Sequence, residues 1–218
     1  MTDDAQQFWE DLYGERERRW SGKVNAPLAQ RVADLPPGRA LDLGCGEGAD
    51  ALWLAERGWT VTAVDISATA LDRGRTEGER LGLVVDWRRQ DLAGPLPPGP
   101  YDLVSAQFLQ SPVALPRVEV LRRAAAELVP GGVLLVVGHA SAPPWSTHQP
   151  DPELMPSAAT VLQQLALGPD WEVVEAGDVA RQATGPDGQS AELLDSVVLA
   201  RRSHHPGQVG AVQVGTVR

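Results

Sequence analysis

The sequence predicts an α/β fold in which a mostly parallel sheet carries helices on both faces. Three observations lead there. From residue 39 onward, short apolar segments alternate with amphipathic ones, the pattern of repeated strand–helix units. The run Val133 to Val137 is apolar at every position, as in a strand buried on both faces. Two late strand-like segments flank Gly185-Pro186-Asp187-Gly188, a turn that joins them as a hairpin and so adds one antiparallel strand.

The elements follow in order. Asp4 to Arg19 is charged, with Phe8, Leu12 and Tyr13 near helical spacing, so an amphipathic helix is expected. Trp20 to Asn25 interrupts it, and Asn25 and Pro27 suit the first turn of a short second helix that Pro36-Pro37-Gly38 closes. Arg39 to Leu43 reads as a strand, Ala49 to Arg57 as a helix stopped by Gly58, and Trp59 to Val64 as a second strand. Ser67 caps a helix to about Leu81; Leu83 to Trp87 and Tyr101 to Ala106 are the next strands. Leu115 to Leu128 is expected to be helical up to Pro130-Gly131-Gly132, ahead of the strand from Val133. Ser141 to Pro156 is Pro-rich and loop-like, Ala158 to Leu167 helical, and Trp171 to Val179 with Glu192 to Ala200 form the hairpin. Ser203 to Arg218 lacks a hydrophobic period and reads as a tail.

Composition narrows the function classes. Of 218 residues 43% are hydrophobic and 22% charged, enough for a sizeable core in one domain. Nineteen basic residues against 29 acidic ones give a net charge of -10. Binding along phosphate backbones or at a polybasic membrane surface is therefore not expected. Only Lys23 among the basic residues is lysine, which reads as the coding bias of a GC-rich genome. Cys45 is the single cysteine, so an intrachain disulfide and a multi-cysteine zinc site are excluded. The start Met1-Thr2-Asp3-Asp4 lacks the basic, then apolar, pattern of a signal peptide, and no run is long enough to span a bilayer. A soluble, cytoplasmic protein is expected.

The sharpest local signal is Leu41-Asp42-Leu43-Gly44-Cys45-Gly46-Glu47-Gly48-Ala49, where the first strand passes into a helix. Glycines there let the backbone approach a ligand, and the helix start offers free N–H groups. Gly44, Gly46 and Ala49, with Asp65 about twenty residues on, also satisfy the spacing of a dinucleotide fingerprint. Asp42 separates the readings, because dinucleotide loops place a small or apolar residue at that position. Asp65 ends the second strand and Asp91 follows the third. Three acids at three strand ends suit a ligand that carries an ammonium, a ribose and an adenine.

Those segments, with Val61-Thr62-Ala63-Val64-Asp65-Ile66-Ser67, Gln90-Asp91-Leu92 and Tyr101-Asp102-Leu103-Val104, resemble a class I S-adenosylmethionine-dependent methyltransferase over roughly residues 38 to 140. The resemblance implies a Rossmann-like, seven-stranded sheet whose last strand is antiparallel. It implies S-adenosyl-L-methionine as cofactor, with Gly44, Gly46 and Gly48 along its methionine part and Asp42 nearby. Asp65 would meet the ribose, Ile66 would flank the adenine, and Asp91 and Leu92 would meet its amino group and ring. Gln107 would contact the cofactor and frame the acceptor. The segment from Phe8-Trp9-Glu10 through Trp20-Ser21-Gly22-Lys23-Val24-Asn25 is similar to that of small bacterial tellurite and thiopurine methyltransferases. That likeness implies a lid over residues 1–37, with Tyr13 and Trp20 against the cofactor, on a catalytic domain over 38–202 and a tail over 203–218.

The remaining candidates have plainer readings beside the functional ones. His139, at the end of the fifth strand, is the candidate general base if the acceptor is a hydroxyl; the alternative is a half-buried, hydrogen-bonded histidine. Cys45 reads as a small side chain in a turn rather than a nucleophile. His204-His205 lack further metal ligands, and Arg122-Arg123 reads as a solvated helix face. Trp145 and His148 are placed to shape an acceptor site, whereas Trp53, Trp59 and Trp87 suit packing. The expected activity is methyl transfer to a small-molecule acceptor, without nucleic acid, membrane or metal. A nicotinamide-dependent oxidoreductase and a non-catalytic adenosyl-ligand binder are the alternatives.

Overall fold

The computed structural model describes residues 2–146 and 151–204. Seven strands form one sheet in the order β3-β2-β1-β4-β5-β7-β6. They are β1 (Arg39–Leu43), β2 (Thr60–Asp65), β3 (Asp86–Arg89), β4 (Tyr101–Gln107), β5 (Leu128–His139), β6 (Trp171–Thr184) and β7 (Ser190–Arg202). β7 runs antiparallel to both β5 and β6, and the other pairings are parallel. The helices are α1 (Thr2–Gly14), α2 (Ala26–Val32), α3 (Ala49–Glu56), α4 (Ala68–Leu81), α5 (Arg117–Ala126) and α6 (Ala158–Leu165), with a 3-10 turn at Pro152–Leu154.

Period-two alternation splits the core between the two faces. Along β5, Val133, Leu135 and Val137 join one cluster with Leu28 of α2 and Leu54 of α3. Leu134 and Val136 join the other, with Leu121 of α5 and Val161 of α6. Successive side chains point to opposite faces, so an unbroken apolar run fills both layers. Ser67 caps α4 by accepting the Ala70 N–H at 3.1 Å, and Gly82 ends that helix in the left-handed region at φ 69°.

Six elements depart from the sequence reading. α1 stops at Gly14 rather than Arg19, because the next residues are drawn onto Glu47, described below. β3 begins at Asp86, not Leu83, since an edge strand takes its register from its single neighbour. The apolar run before it stays outside the ladder, with Val84 88% exposed. Pro130-Gly131-Gly132 does not separate a helix from a strand: α5 ends at Ala126, and β5 has already begun at Leu128. The pairing jumps from Tyr101↔Leu128 to Leu103↔Val133, so these residues are absorbed as a bulge, with Gly131 at φ 85°. The hairpin strands run longer than read, out to Thr184 and from Ser190.

Candidate functional site

Strand order reverses between β1 and β4, and the C-terminal ends of the strands open there onto a cavity of about 650 Å³. Every cofactor-site residue singled out above lines it: the glycine loop and Asp42 from β1, Asp65 and Ile66 after β2, Asp91 and Leu92 after β3, and Gln107 from β4. Tyr13 and Trp20 close it from the N-terminal segment, and His139 lies at its β5 side.

Gly44, Gly46 and Gly48 all have positive φ, at 67°, 53° and 81°. Only glycine takes such a succession without strain. Their close neighbours differ. A Cβ on Gly46 would fall 2.8 Å from the Tyr13 hydroxyl, and one on Gly48 would strike the Trp87 ring. Trp87 is therefore packing, as expected, and it sets how near the loop lies to α4.

The carboxylates are buried and unequal. Asp42 is 2% exposed, and its Oδ2 has no hydrogen-bond partner. Burial, then the charges of Asp50 and Asp65, push its carboxyl well above the usual range. Asp50 is satisfied by the backbone N–H and the side-chain amide of Asn25, both at 2.7 Å. Asn25 thus flanks α2 without capping it through its side chain. Asp65 accepts the Gly46 N–H at 2.8 Å and the Ser67 N–H at 2.9 Å, tying the glycine loop to the start of α4. Each of its oxygens retains a second lone pair for a ligand. Asp91 accepts the Ala93 N–H at 2.9 Å in its turn. Gln107 donates to Ser105 Oγ at 3.1 Å and leaves its Oε1 unpartnered and buried.

Burial and then the Asp65 charge push the Tyr13 phenol far above its ordinary value, so it stays protonated. It accepts from Trp20 Nε1 at 3.2 Å and keeps its own proton for a ligand. Burial, then Asp65 and Asp42, push the Cys45 thiol well up, which suits the plain turn reading rather than a nucleophile.

Several contributors were not picked out from the sequence. Glu47, inside the glycine loop, accepts the backbone N–H groups of Arg19 and Trp20, each at 3.0 Å, and a 2.7 Å bond from Arg73. Burial opposes its charge, but those bonds outweigh burial and hold its carboxyl below the usual range. Glu10 of α1 accepts the N–H groups at the start of α4 and the Ser67 hydroxyl. An acid at a helix N-terminus is favourable, and this one anchors α1. Arg123 donates to the Leu92 and Gly94 carbonyls at 2.7 and 2.6 Å, holding the Asp91 turn. Arg122 donates to the Gln164 carbonyl. Arg122 is exposed, as a solvated helix face would be, whereas Arg123 is half-buried on the Asp91 turn. Trp145 lies against Gly185 at the hairpin turn, away from the cavity lining. His204 lies against Gly131, at the opposite end of β5 from the cavity, while His148 and His205 fall outside the described residues. Among the described residues no three His, Cys, Asp or Glu side chains gather to hold a metal ion, and no helix is long and apolar enough to cross a membrane.

A family model described as a methyltransferase domain matches residues 40–132. Residues 40–132 therefore carry a methyltransferase domain. S-adenosylmethionine is the cofactor of such domains, and the site fits it. An unpartnered buried carboxylate oxygen on Asp42 meets the need of an ammonium, and the glycine arc leaves room beside it. Among curated relatives, the domain is 35% identical over 111 residues to a ribosomal RNA small subunit methyltransferase C of Alcanivorax borkumensis, covering 49% of this chain and 34% of that protein. It is 36% identical over 112 residues to a ubiquinone biosynthesis O-methyltransferase of Xanthomonas campestris pv. campestris, covering 50% and 46%. The chain thus spans about a third to a half of the length of these relatives.

Among solved structures, TehB from Haemophilus influenzae aligns with a TM-score of 0.64 at 20% identity, covering 89% of this chain and 67% of that one. The magnesium protoporphyrin IX methyltransferase of Synechocystis with bound cofactor aligns at 0.59 and 19%, covering 93% and 97%. At such identities the methyltransferase domain shares their fold.

Proposed function

We propose that the chain transfers a methyl group from S-adenosylmethionine to a small-molecule acceptor by in-line displacement. The observation that carries this is the buried, unpartnered Asp42 carboxylate oxygen beside the glycine arc. A group this costly to leave bare is accounted for by a cationic ligand. In this reading Asp42 takes the cofactor's ammonium, and Gly44, Gly46 and Gly48 pass its methionine part. Asp65 takes the ribose, Ile66 and Leu92 sandwich the adenine, and Asp91 meets its amino group. Gln107 frames the acceptor side. Residues 1–37 act as a lid pinned by Glu10 and Glu47, with Tyr13 and Trp20 over the cofactor.

The cofactor supplies an activated methyl group, so this chain's contribution is placement and exclusion of water. An acceptor atom held in line at about 3 Å gains most of its acceleration from that positioning. A small acceptor is preferred to RNA because the net charge is -10, although one relative named above is a ribosomal RNA methyltransferase and another a ubiquinone biosynthesis O-methyltransferase. Incubation with methyl-labelled cofactor tests this. Label passing to compounds in a small-molecule panel, with none to total RNA, is expected; label in RNA alone would refute it.

A further inference from the structure

Three neighbouring strands bring His139, Asp195 and Arg181 together at the acceptor side of the cavity. The β5–β7 register pairs His139 with Asp195, and the β7–β6 register places Asp195 beside Val179, two residues from Arg181. Asp195 is 3% exposed although it lies in the apolar run of β7. Its Oδ1 is 3.3 Å from His139 Nδ1, and its Oδ2 accepts from Arg181 Nε at 2.6 Å. A buried acid in such a strand is costly unless paired, and here both oxygens are used.

The imidazole is held by Asp195 and Phe108, and its backbone by Gln110. Gln110 accepts the His139 backbone N–H at 2.7 Å and donates to its carbonyl at 3.0 Å. Phe108 lies over the ring with centroids 4.5 Å apart, on a backbone turned to φ 54°. An ionised carboxylate can only accept, so the neutral ring carries its proton on Nδ1 and keeps the lone pair on Nε2. Arg181 spends Nε on Asp195, and its terminal nitrogens have no partner among the described residues. The opposite wall holds the buried acids Asp42, Asp50 and Asp65. The cavity is thus acidic at the glycine loop, whereas beside His139 the Arg181 and Asp195 charges balance and the terminal guanidinium N–H groups remain as donors.

We propose that His139, oriented by Asp195, takes the proton of a hydroxyl acceptor while Arg181 binds a carboxylate on the same molecule. The substrate class is then a small hydroxy acid. This rests on the methyl-transfer reading above. As the acceptor oxygen bonds to the methyl carbon, the carbon–sulfur bond breaks and leaves its electron pair on sulfur. The hydroxyl proton passes to Nε2 of His139, so the positive charge lost from the sulfonium reappears on the imidazolium beside Asp195. Asp195 and Gln110 are positioning residues, and Arg181 is a specificity residue.

The test uses the full chain, methyl-labelled cofactor and a panel of salicylate, protocatechuate and mandelate, with their amides and thiosalicylate. Acids should be preferred to amides by at least about tenfold in kcat/KM. Arg181→Met should remove that preference through KM. His139→Ala should lower kcat on the hydroxy acids about a hundredfold yet leave thiosalicylate, which ionises unaided, within about threefold. Asp195→Asn, which loosens both His139 and Arg181, should lower kcat and shift the ring proton, read by ¹⁵N resonances of His139. If that variant fails to fold, the two partly exposed positions 139 and 181 still decide the matter. Equal use of acids and amides, or full turnover by His139→Ala, overturns the proposal. So does absence of transfer to every hydroxy acid by protein that binds S-adenosylhomocysteine in calorimetry. Failure of the wild type to bind S-adenosylhomocysteine instead removes the methyl-transfer reading beneath it.

Discussion

Asp42→Asn separates ligand binding from stability, because the two should move in opposite directions. The wild-type carboxylate is buried, has one bare oxygen, and lies near Asp50 and Asp65. Removing its charge takes away a charge-assisted hydrogen bond to the cofactor's ammonium, worth about 1.5–3 kcal/mol. That is roughly a ten- to hundredfold weaker Kd for S-adenosylhomocysteine. The unliganded protein should meanwhile gain about 1 kcal/mol by losing a bare charge, or about 2–4 °C in Tm for a chain of this size.

The pH dependence carries the same signature. Because the folded carboxyl sits above the ordinary 3.8, the folded state holds more protons than the unfolded one. Stability therefore falls as pH rises from 3.8 toward the folded value, and the whole penalty is felt above it. The Tm advantage of Asp42→Asn should grow as pH rises through the folded carboxyl's value and vanish below the carboxylate range. Calorimetry gives the affinity and scanning fluorimetry the Tm. Unchanged affinity, or a lower neutral Tm, would refute the reasoning.

Other perturbations follow from the same geometry. Glu47→Gln weakens the hold on Arg19, Trp20 and Arg73, so S-adenosylhomocysteine should leave about three- to tenfold faster in stopped-flow. Faster amide exchange at residues 19 and 20 should accompany it. Gly48→Ala puts a Cβ into Trp87 on a φ of 81°, which should cost about 2–4 kcal/mol in denaturant melts. Cys45, with its thiol pushed up, should alkylate at least about tenfold slower than free cysteine at neutral pH. S-adenosylhomocysteine should slow it further. Rapid labelling at neutral pH would contradict that environment.

What was legible in the sequence had a short-range cause. The glycine arc, Asp42, Asp65 and the alternating core of β5 were readable because turn chemistry and side-chain period act over a few residues. β3 was misplaced because its register comes from β2, and Pro130-Gly131-Gly132 read as a stop because a bulge is defined by the partner strand β4. The pins Glu10 and Glu47 reach across 57 and 28 residues, and nothing local marks them apart from ordinary surface acids. Asp195 did leave a signal, an acid within the mostly apolar stretch from Leu193 to Ala200. Its partners on β5 and β6 become neighbours only through the sheet order.

The central claim is that this cavity is a site for S-adenosylmethionine. Calorimetric titration of the full chain with S-adenosylhomocysteine, and separately with NAD, tests it most directly. A saturable one-to-one isotherm for S-adenosylhomocysteine, lost or strongly weakened in Asp42→Asn, with no heat from NAD, is the expected result. Saturable binding of NAD and none of S-adenosylhomocysteine would contradict the account.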